Sequence, residues 1–350
     1  MSCFSKTVPY EIYIQYRRHI LQHNSGFLHE GTIIFYIFKQ PHYRQAMLKI
    51  QVKNETGRLR SVILGTAHDN GPIPTVEEAY DPKSLEHILA GTYPAESDMV
   101  YEMTAFQHVL ERYGVTVHRP KVIPDLNQIF TRDIGFVIEN KFIKANILPE
   151  RADEWQAIKF LVDKIDPNDI IEAPSTVHIE GGDVILWNDY IFVGTYTGSD
   201  YAQINTARTN IQGVGFLAEI FPTKMVLGFD LIKSMTDARK NALHLDCCFQ
   251  PVGKDKAIIY KGGFRNPEHY NQLVTLFGLE NLFHITAEEM YNMFSNVFSI
   301  SENVVVTERR FDRLNHWLRE NGFHVEEIPY HEIGKQEGLL RCSTLPLYRD

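Results

Sequence analysis

The chain has 350 residues, 44% of them hydrophobic, with 22 Gly and 16 Pro, which excludes a disordered or collagen-like protein. Its 35 Lys and Arg against 44 Asp and Glu give a formal charge of −9, which argues against a nucleic-acid binder or a polybasic membrane-surface protein. Four cysteines form no disulfide framework, no apolar run reaches the roughly 18 residues of a membrane helix, and the N-terminus lacks signal-peptide order, so the expectation is a soluble cytoplasmic protein with reduced thiols.

Residues 1–46 differ in character from residues 47–350. They carry five basic and two acidic side chains, leaving −12 for residues 47–350, and show neither helical nor strand period. Three readings compete for this prefix: Met47 is the native start, the segment is a loosely attached extension, or it is a functional arm. From Met47 the run Leu48–Lys53 alternates as a strand should.

A unit then recurs, each time a β-rich stretch, a helix and a closing strand. The first pass is strand Leu59–Gly65, helix 97–113 and strand Gly114–Pro120. The second is Gly135–Lys144, helix 151–164 and Asp169–Pro174. The third is Asp183–Gly194, helix 201–220 and Lys224–Gly228. The fourth is Leu243–Tyr260, a helix near 267–277 and Asn281–Ile285. The fifth is Asn296–Thr307, helix 309–321 and Phe323–Ile328. Short polar turns split the hairpins at Glu139-Asn140, Asn188-Asp189, Lys254-Asp255 and Glu302-Asn303. Five such units suggest a closed pseudo-symmetric array filling residues 47–350 as a single domain; an ordinary α/β sheet with hairpins is the alternative.

Polar residues gather where the units begin: Asn127–Asp133, His178–Asp183, His244–Asp246 and Arg341–Leu347. Residues two apart on a strand share a face, so His178/Glu180 and His244/Asp246 each pair an imidazole with a carboxylate. One reading is a metal site, although there is no HExxH and two separated pairs define no ligand geometry. Another is nucleophilic catalysis, with Cys342 as thiolate, His244 as general acid/base and Glu180 orienting it. Asp133 and Asp246 would then suit a planar, multi-donor cation such as a guanidinium. Against both stands the common role of a lone cysteine as a small core residue, the role expected of Cys247 and Cys248. Gly181-Gly182 reads as room for close backbone approach.

Taken in order, Phe130–Asp133, Glu180–Asp183, His244–Asp246 and Cys342–Leu347 resemble the guanidino-group-modifying (pentein) superfamily, which includes arginine deiminases, dimethylarginine dimethylaminohydrolases and amidinotransferases. The resemblance runs from about Arg58 to the C-terminus. It implies an α/β fold, a five-bladed α/β propeller of ββαβ-type repeats with pseudo-five-fold symmetry. It implies Cys342 as nucleophile, His244 as acid/base with Glu180 as partner, Asp133 and Asp246 on the guanidinium, and Phe130 packed on its plane. Asn127 and Arg151 match positions that hold the substrate carboxylate in arginine deiminases. A second carboxylate-binding Arg expected after the Glu-Gly-Gly-Asp hairpin is missing from Gly194–Ser199, and the 65–97 stretch is too short for the deiminases' helical insertion. The implied activity is hydrolysis of arginine or an arginine derivative through a covalent thiouronium; the alternative is an amidinotransferase using an acceptor amine such as glycine. The implied partner is a small guanidino molecule, with no metal, cofactor, nucleic acid or membrane, and with room for a homo-oligomer.

Overall fold

The computed structural model describes residues 47–350; the prefix, residues 1–46, lies outside the described residues. Five three-stranded sheets follow one plan, an antiparallel pair extended by a parallel third strand. Blade two joins β3 (Gly135–Ile138), β4 (Lys141–Lys144) and β5 (Ile170–Glu172). Blade three joins β6 (Val184–Trp187), β7 (Tyr190–Thr195) and β8 (Met225–Asp230). Blade four joins β9 (Phe249–Val252), β10 (Lys256–Ile259) and β11 (Leu282–His284), and blade five β12 (Phe298–Ser301), β13 (Val304–Glu308) and β14 (His324–Ile328). Three hairpins close over the two-residue turns expected from sequence, and Glu139 (φ 53°) and Asn188 (φ 52°) adopt the left-handed backbone such turns require. The β9–β10 turn adds Gly253 (φ 64°).

Blade one differs from the sequence reading. Its strands β1 (Leu59–Leu64) and β2 (Thr116–His118) pair in parallel, and the missing antiparallel partner is the last strand, β15 (Thr344–Arg349). The chain thereby closes on itself, and Cys342 stands at the entry to the first blade rather than at the end of the fifth. The expected strand at Leu48–Lys53 is reduced to two isolated bridges, Gln51 to Tyr348 and Val52 to Glu139, which stitch blade one to blade two. The third crossover helix, Ile211–Ile220, starts ten residues later than its periodicity suggests. Asn210 caps it, its side chain accepting from Gly213 N. No helix among the described residues is long and apolar enough to cross a membrane.

Apolar strand faces and helices fill the space between blades in three clusters, with Leu345 and Leu347 of β15 packed beside Ile63 and Phe142. A buried ion-pair system crosses this interior. Arg341 is fully enclosed, forks onto both oxygens of Glu55 (3.0 and 3.1 Å), donates to Val184 O (2.7 Å) and reaches Asp246 (2.7 Å). Burial raises the Glu55 carboxyl, but Arg341 beside it more than offsets this and holds it at about 2.

Candidate active site

The turns that enter the first strand of each blade bring the chemistry together. Phe130, Asp133, His244 and Cys342 line one cavity of about 70 Å³, with Asn127 and Arg151 in its wall. Because strand pairing fixes where each blade begins, residues hundreds of positions apart meet there.

The Glu-Gly-Gly-Asp turn builds the histidine's seat. Glu180 Oε2 lies 2.7 Å from His244 Nε2. Gly182 leaves room for the ring, since a Cβ there would fall 2.7 Å from His244 Cγ and Nδ1. Asp183 accepts from Leu245 N (2.9 Å) and so ties down the turn that carries His244. The other ring nitrogen, Nδ1, lies 3.8 Å from Asp133 Oδ1. Burial lowers the imidazole's proton affinity, but Asp133 and the Glu180 hydrogen bond outweigh it and leave the pKa raised. The imidazole is therefore poised as a proton donor.

Charges alternate along the wall. Glu154 grips Arg151 through both oxygens (2.7 and 2.9 Å), Arg151 bonds Asp133 Oδ2 (2.8 Å), and Arg208 bonds Glu180 Oε2 (3.2 Å). Asp133 Oδ1 and Glu180 Oε1 have no hydrogen-bond partner. A buried carboxylate oxygen without a donor is costly, and a multi-donor cation in the cavity would satisfy Asp133. The Cys342 thiol accepts from Asn296 Nδ2 (3.1 Å) and faces Asp246 at 3.7–3.9 Å. Burial, then Asp246 and Asp133, push its pKa well above the usual thiol value. An incoming cation would reverse the Coulombic part of that shift.

Two residues take other places than the resemblance implies. Asp246 is wholly enclosed behind Cys342, where it touches the thiol and pairs with Arg341, and it does not line the cavity. Arg151 is committed: Glu154, Asp133 and Phe130 O take its donors, leaving no free fork for a substrate carboxylate. Asn127 is likewise engaged, donating to Gln336 Oε1 at 2.7 Å. The same-face argument for His178/Glu180 and His244/Asp246 fails because neither pair lies on a strand: both run into 3-10 turns. His178 is exposed and its ring meets Tyr201, whereas Glu180 is buried.

Sequence reasoning missed Asn296, Arg208 and Glu154. Asn296 holds the turn that carries Cys342, its Oδ1 accepting from both Arg341 N (3.0 Å) and Cys342 N (3.1 Å). The repeat contained the signal, since Asn296 precedes β12 as Asp133 precedes β3. Arg208 lies in a crossover segment that carries no periodic mark, whereas Glu154 opens the helix Glu154–Val162 three residues after Arg151, a spacing that marks the pair.

Asp133, Glu180 and His244 bring one ligand atom each within 4.8 Å of one another, a spacing a metal ion could use. The donor set argues otherwise: both carboxylates already carry a guanidinium, from Arg151 and Arg208, and a divalent cation would be repelled by both.

Comparison with known proteins agrees with this architecture. Residues 94–349 match the family model described as N,N dimethylarginine dimethylhydrolase, eukaryotic. The uncharacterized protein YkgA of Bacillus subtilis is 31% identical over 225 residues, covering 63% of this chain and 70% of that protein. An arginine deiminase of Treponema denticola is 28% identical over 213 residues, covering 51% of this chain and only 48% of the deiminase. Among solved structures, the N-terminal domain of the cyanobacterial arginine dihydrolase ArgZ superposes with a TM-score of 0.67 at 18% identity, covering 83% of this chain and 98% of the domain. The inosamine-phosphate amidinotransferase StrB1 of Streptomyces griseus superposes at 0.65 and 15% identity, covering 86% and 97%. At such identities the structural likeness speaks for the fold, while the family model spans most of the chain, and the chain belongs to the N,N-dimethylarginine dimethylhydrolase family of the guanidino-modifying pentein superfamily.

Proposed function

We propose that residues 47–350 form a cysteine-dependent hydrolase that cleaves the guanidinium group of arginine or an arginine derivative, giving a ureido product and ammonia or an amine. The observation that carries this reading is the meeting of the Cys342 thiol, the raised His244 imidazole and the unpartnered Asp133 oxygen at one cavity. The cationic substrate bonds Asp133 through its N–H donors and packs against Phe130. Its charge lowers the Cys342 pKa, and the thiol proton leaves to solvent. The thiolate attacks the guanidinium carbon, forming a C–S bond. His244 gives its proton to the departing nitrogen as that C–N bond breaks, leaving a thiouronium on Cys342. Water then replaces the departed amine, gives a proton back to His244 and attacks the same carbon. The C–S bond breaks, and the ureido product and the thiol are released. Asp246, behind the sulfur and held by Arg341, positions the nucleophile.

Curated relatives with a named activity include arginine deiminases and the matching family is a hydrolase, whereas likeness to the amidinotransferase is of fold alone. The free state of Cys247, Cys248 and Cys342 supports action in a reducing cytoplasm. The test is a panel of guanidino compounds read by mass spectrometry, with and without glycine. Wild type should yield a ureido product without added amine, and acid quenching should trap a thiouronium on Cys342. Cys342→Ala should fold and show no turnover; full activity in that variant overturns the reading, and a new guanidino product formed only with glycine replaces hydrolysis by transfer.

A further inference from the structure

The cavity has a second feature that the reaction does not use. Among the described residues lining it, the guanidinium or ammonium groups are those of Arg151 and Arg208 alone. Arg151 is spent on Glu154, Asp133 and Phe130 O, and Arg208 donates to Glu180, Tyr80 O and Asn205 O. No guanidinium or ammonium is left in that wall to receive a substrate carboxylate, and the His244 imidazole is held by Glu180 at the guanidinium end. The same wall carries two further buried acids, Asp81 and Glu337, 6% and 4% exposed.

Their surroundings leave them one cation short. Asp81 caps the helix Pro82–Leu89, Oδ1 accepting from Ser84 N at 2.7 Å. Glu337 Oε1 accepts from Asn241 Nδ2 at 2.7 Å, while Oε2 has no donor. Lys83 is the nearby cation: its charge bears on both acids, while its Nζ donates to Tyr291 O, sits over the Tyr291 ring and lines a different cavity. One buried ammonium offsets one carboxylate of the two. Burial and then Asp81 push the Glu337 carboxyl well above its usual range, as expected of an acid that keeps its proton until a cation arrives. Glu337 is also held with φ at 55°, a left-handed backbone that is costly for a residue with a long side chain.

We propose that Glu337 and Asp81 form a recognition point for a second positive charge, so that the substrate class is ω-guanidino alkylamines, arginine-like chains without a free carboxylate. This rests on the preceding reading, in which the guanidinium end sits at Cys342. The cavity then takes a dication: Asp133 binds the guanidinium, and the Glu337–Asp81 pair binds the amine. An ω-guanidino acid would set its carboxylate against two acids with no cation to receive it.

The test is calorimetric titration of the Cys342→Ala protein, which binds without turnover, with agmatine, butylguanidine, guanidinobutanoate and L-arginine as probes. Agmatine should bind at least about tenfold tighter than butylguanidine, the size of one charged hydrogen bond, with the two carboxylate-bearing probes weakest. Adding Glu337→Gln, or separately Asp81→Asn, which keeps the helix cap, should narrow the agmatine-to-butylguanidine ratio by about tenfold. A ratio is insensitive to the fraction of protein folded. Tighter binding of guanidinobutanoate or L-arginine than of agmatine overturns the proposal, as does an unchanged ratio in both variants or no binding of any probe. Wild-type turnover of the same compounds separates the two readings. Agmatine binding without hydrolysis of any guanidine removes the reaction and leaves the recognition point. Hydrolysis that favours L-arginine over agmatine removes the recognition point and leaves the reaction.

Discussion

Cys342 shows how one environment holds a thiol in its protonated form. Its sulfur is buried, faces Asp246 within 4 Å and shares a cavity with Asp133, so the resting thiol keeps its proton. Only a bound cation changes that balance, which protects the group from adventitious chemistry. Inactivation by the neutral alkylating agent chloroacetamide should therefore be slow near neutrality. Its rate should rise with a midpoint above the ordinary thiol pKa of about 8.5, read from inactivation rates across pH. A midpoint at or below neutrality would mean that the resting enzyme already holds a thiolate. Residue identity is largely legible in sequence here: Cys342, His244, Glu180 and Asp133 all meet at the cavity or its first partners. Commitment is only partly legible. Arg151 and Asp246 carry the right chemical groups, but Glu154 and Arg341 occupy them; helical spacing announces the first partner, three residues on, and no spacing rule announces the second, 95 residues away.

At the level of elements, four hairpin turns and the four blades that hold them can be read from polar dipeptides set between β-rich runs. Blade one cannot, because half of its antiparallel pair comes from the other end of the chain and periodicity is blind to such pairing. Periodicity misplaces helix starts where a 3-10 turn and a loop, rather than helix, come after the strand, as between Tyr201 and Asn210. Strand β15 both completes that sheet and lies directly after Cys342 in the chain, so its packing should matter beyond its length. Leu345 is fully buried against Ile63 and the blade-two core. Leu345→Ala should cost about 2–5 kcal/mol, the range for a buried Leu truncation, measured as a lower urea midpoint with unchanged slope. A change under about 1 kcal/mol would show that β15 is dispensable for closure.

For the molecule as a whole, the acidic balance that first excluded nucleic acid now has a use. A net charge of −9, with Asp81 and Asp133 in one cavity wall, gives a field that draws cations inward. For a cationic guanidine, kcat/KM should fall as salt rises from about 0.01 to about 0.15 M, because the Debye length shrinks from about 30 to about 8 Å. Steady-state rates at several ionic strengths test this, and a flat profile would mean that encounter is not steered.

Ring closure by β15 also has a consequence for the protein's birth. Cys342 immediately precedes β15, and the partner of that strand, β1, leaves the ribosome far earlier. Domains form in the order they are synthesised, but this sheet cannot form until β15 has emerged. A nascent chain therefore carries His244, the carboxylates and Phe130 well before it carries Cys342. On the proposed reaction, a product terminated before β15 should be catalytically silent.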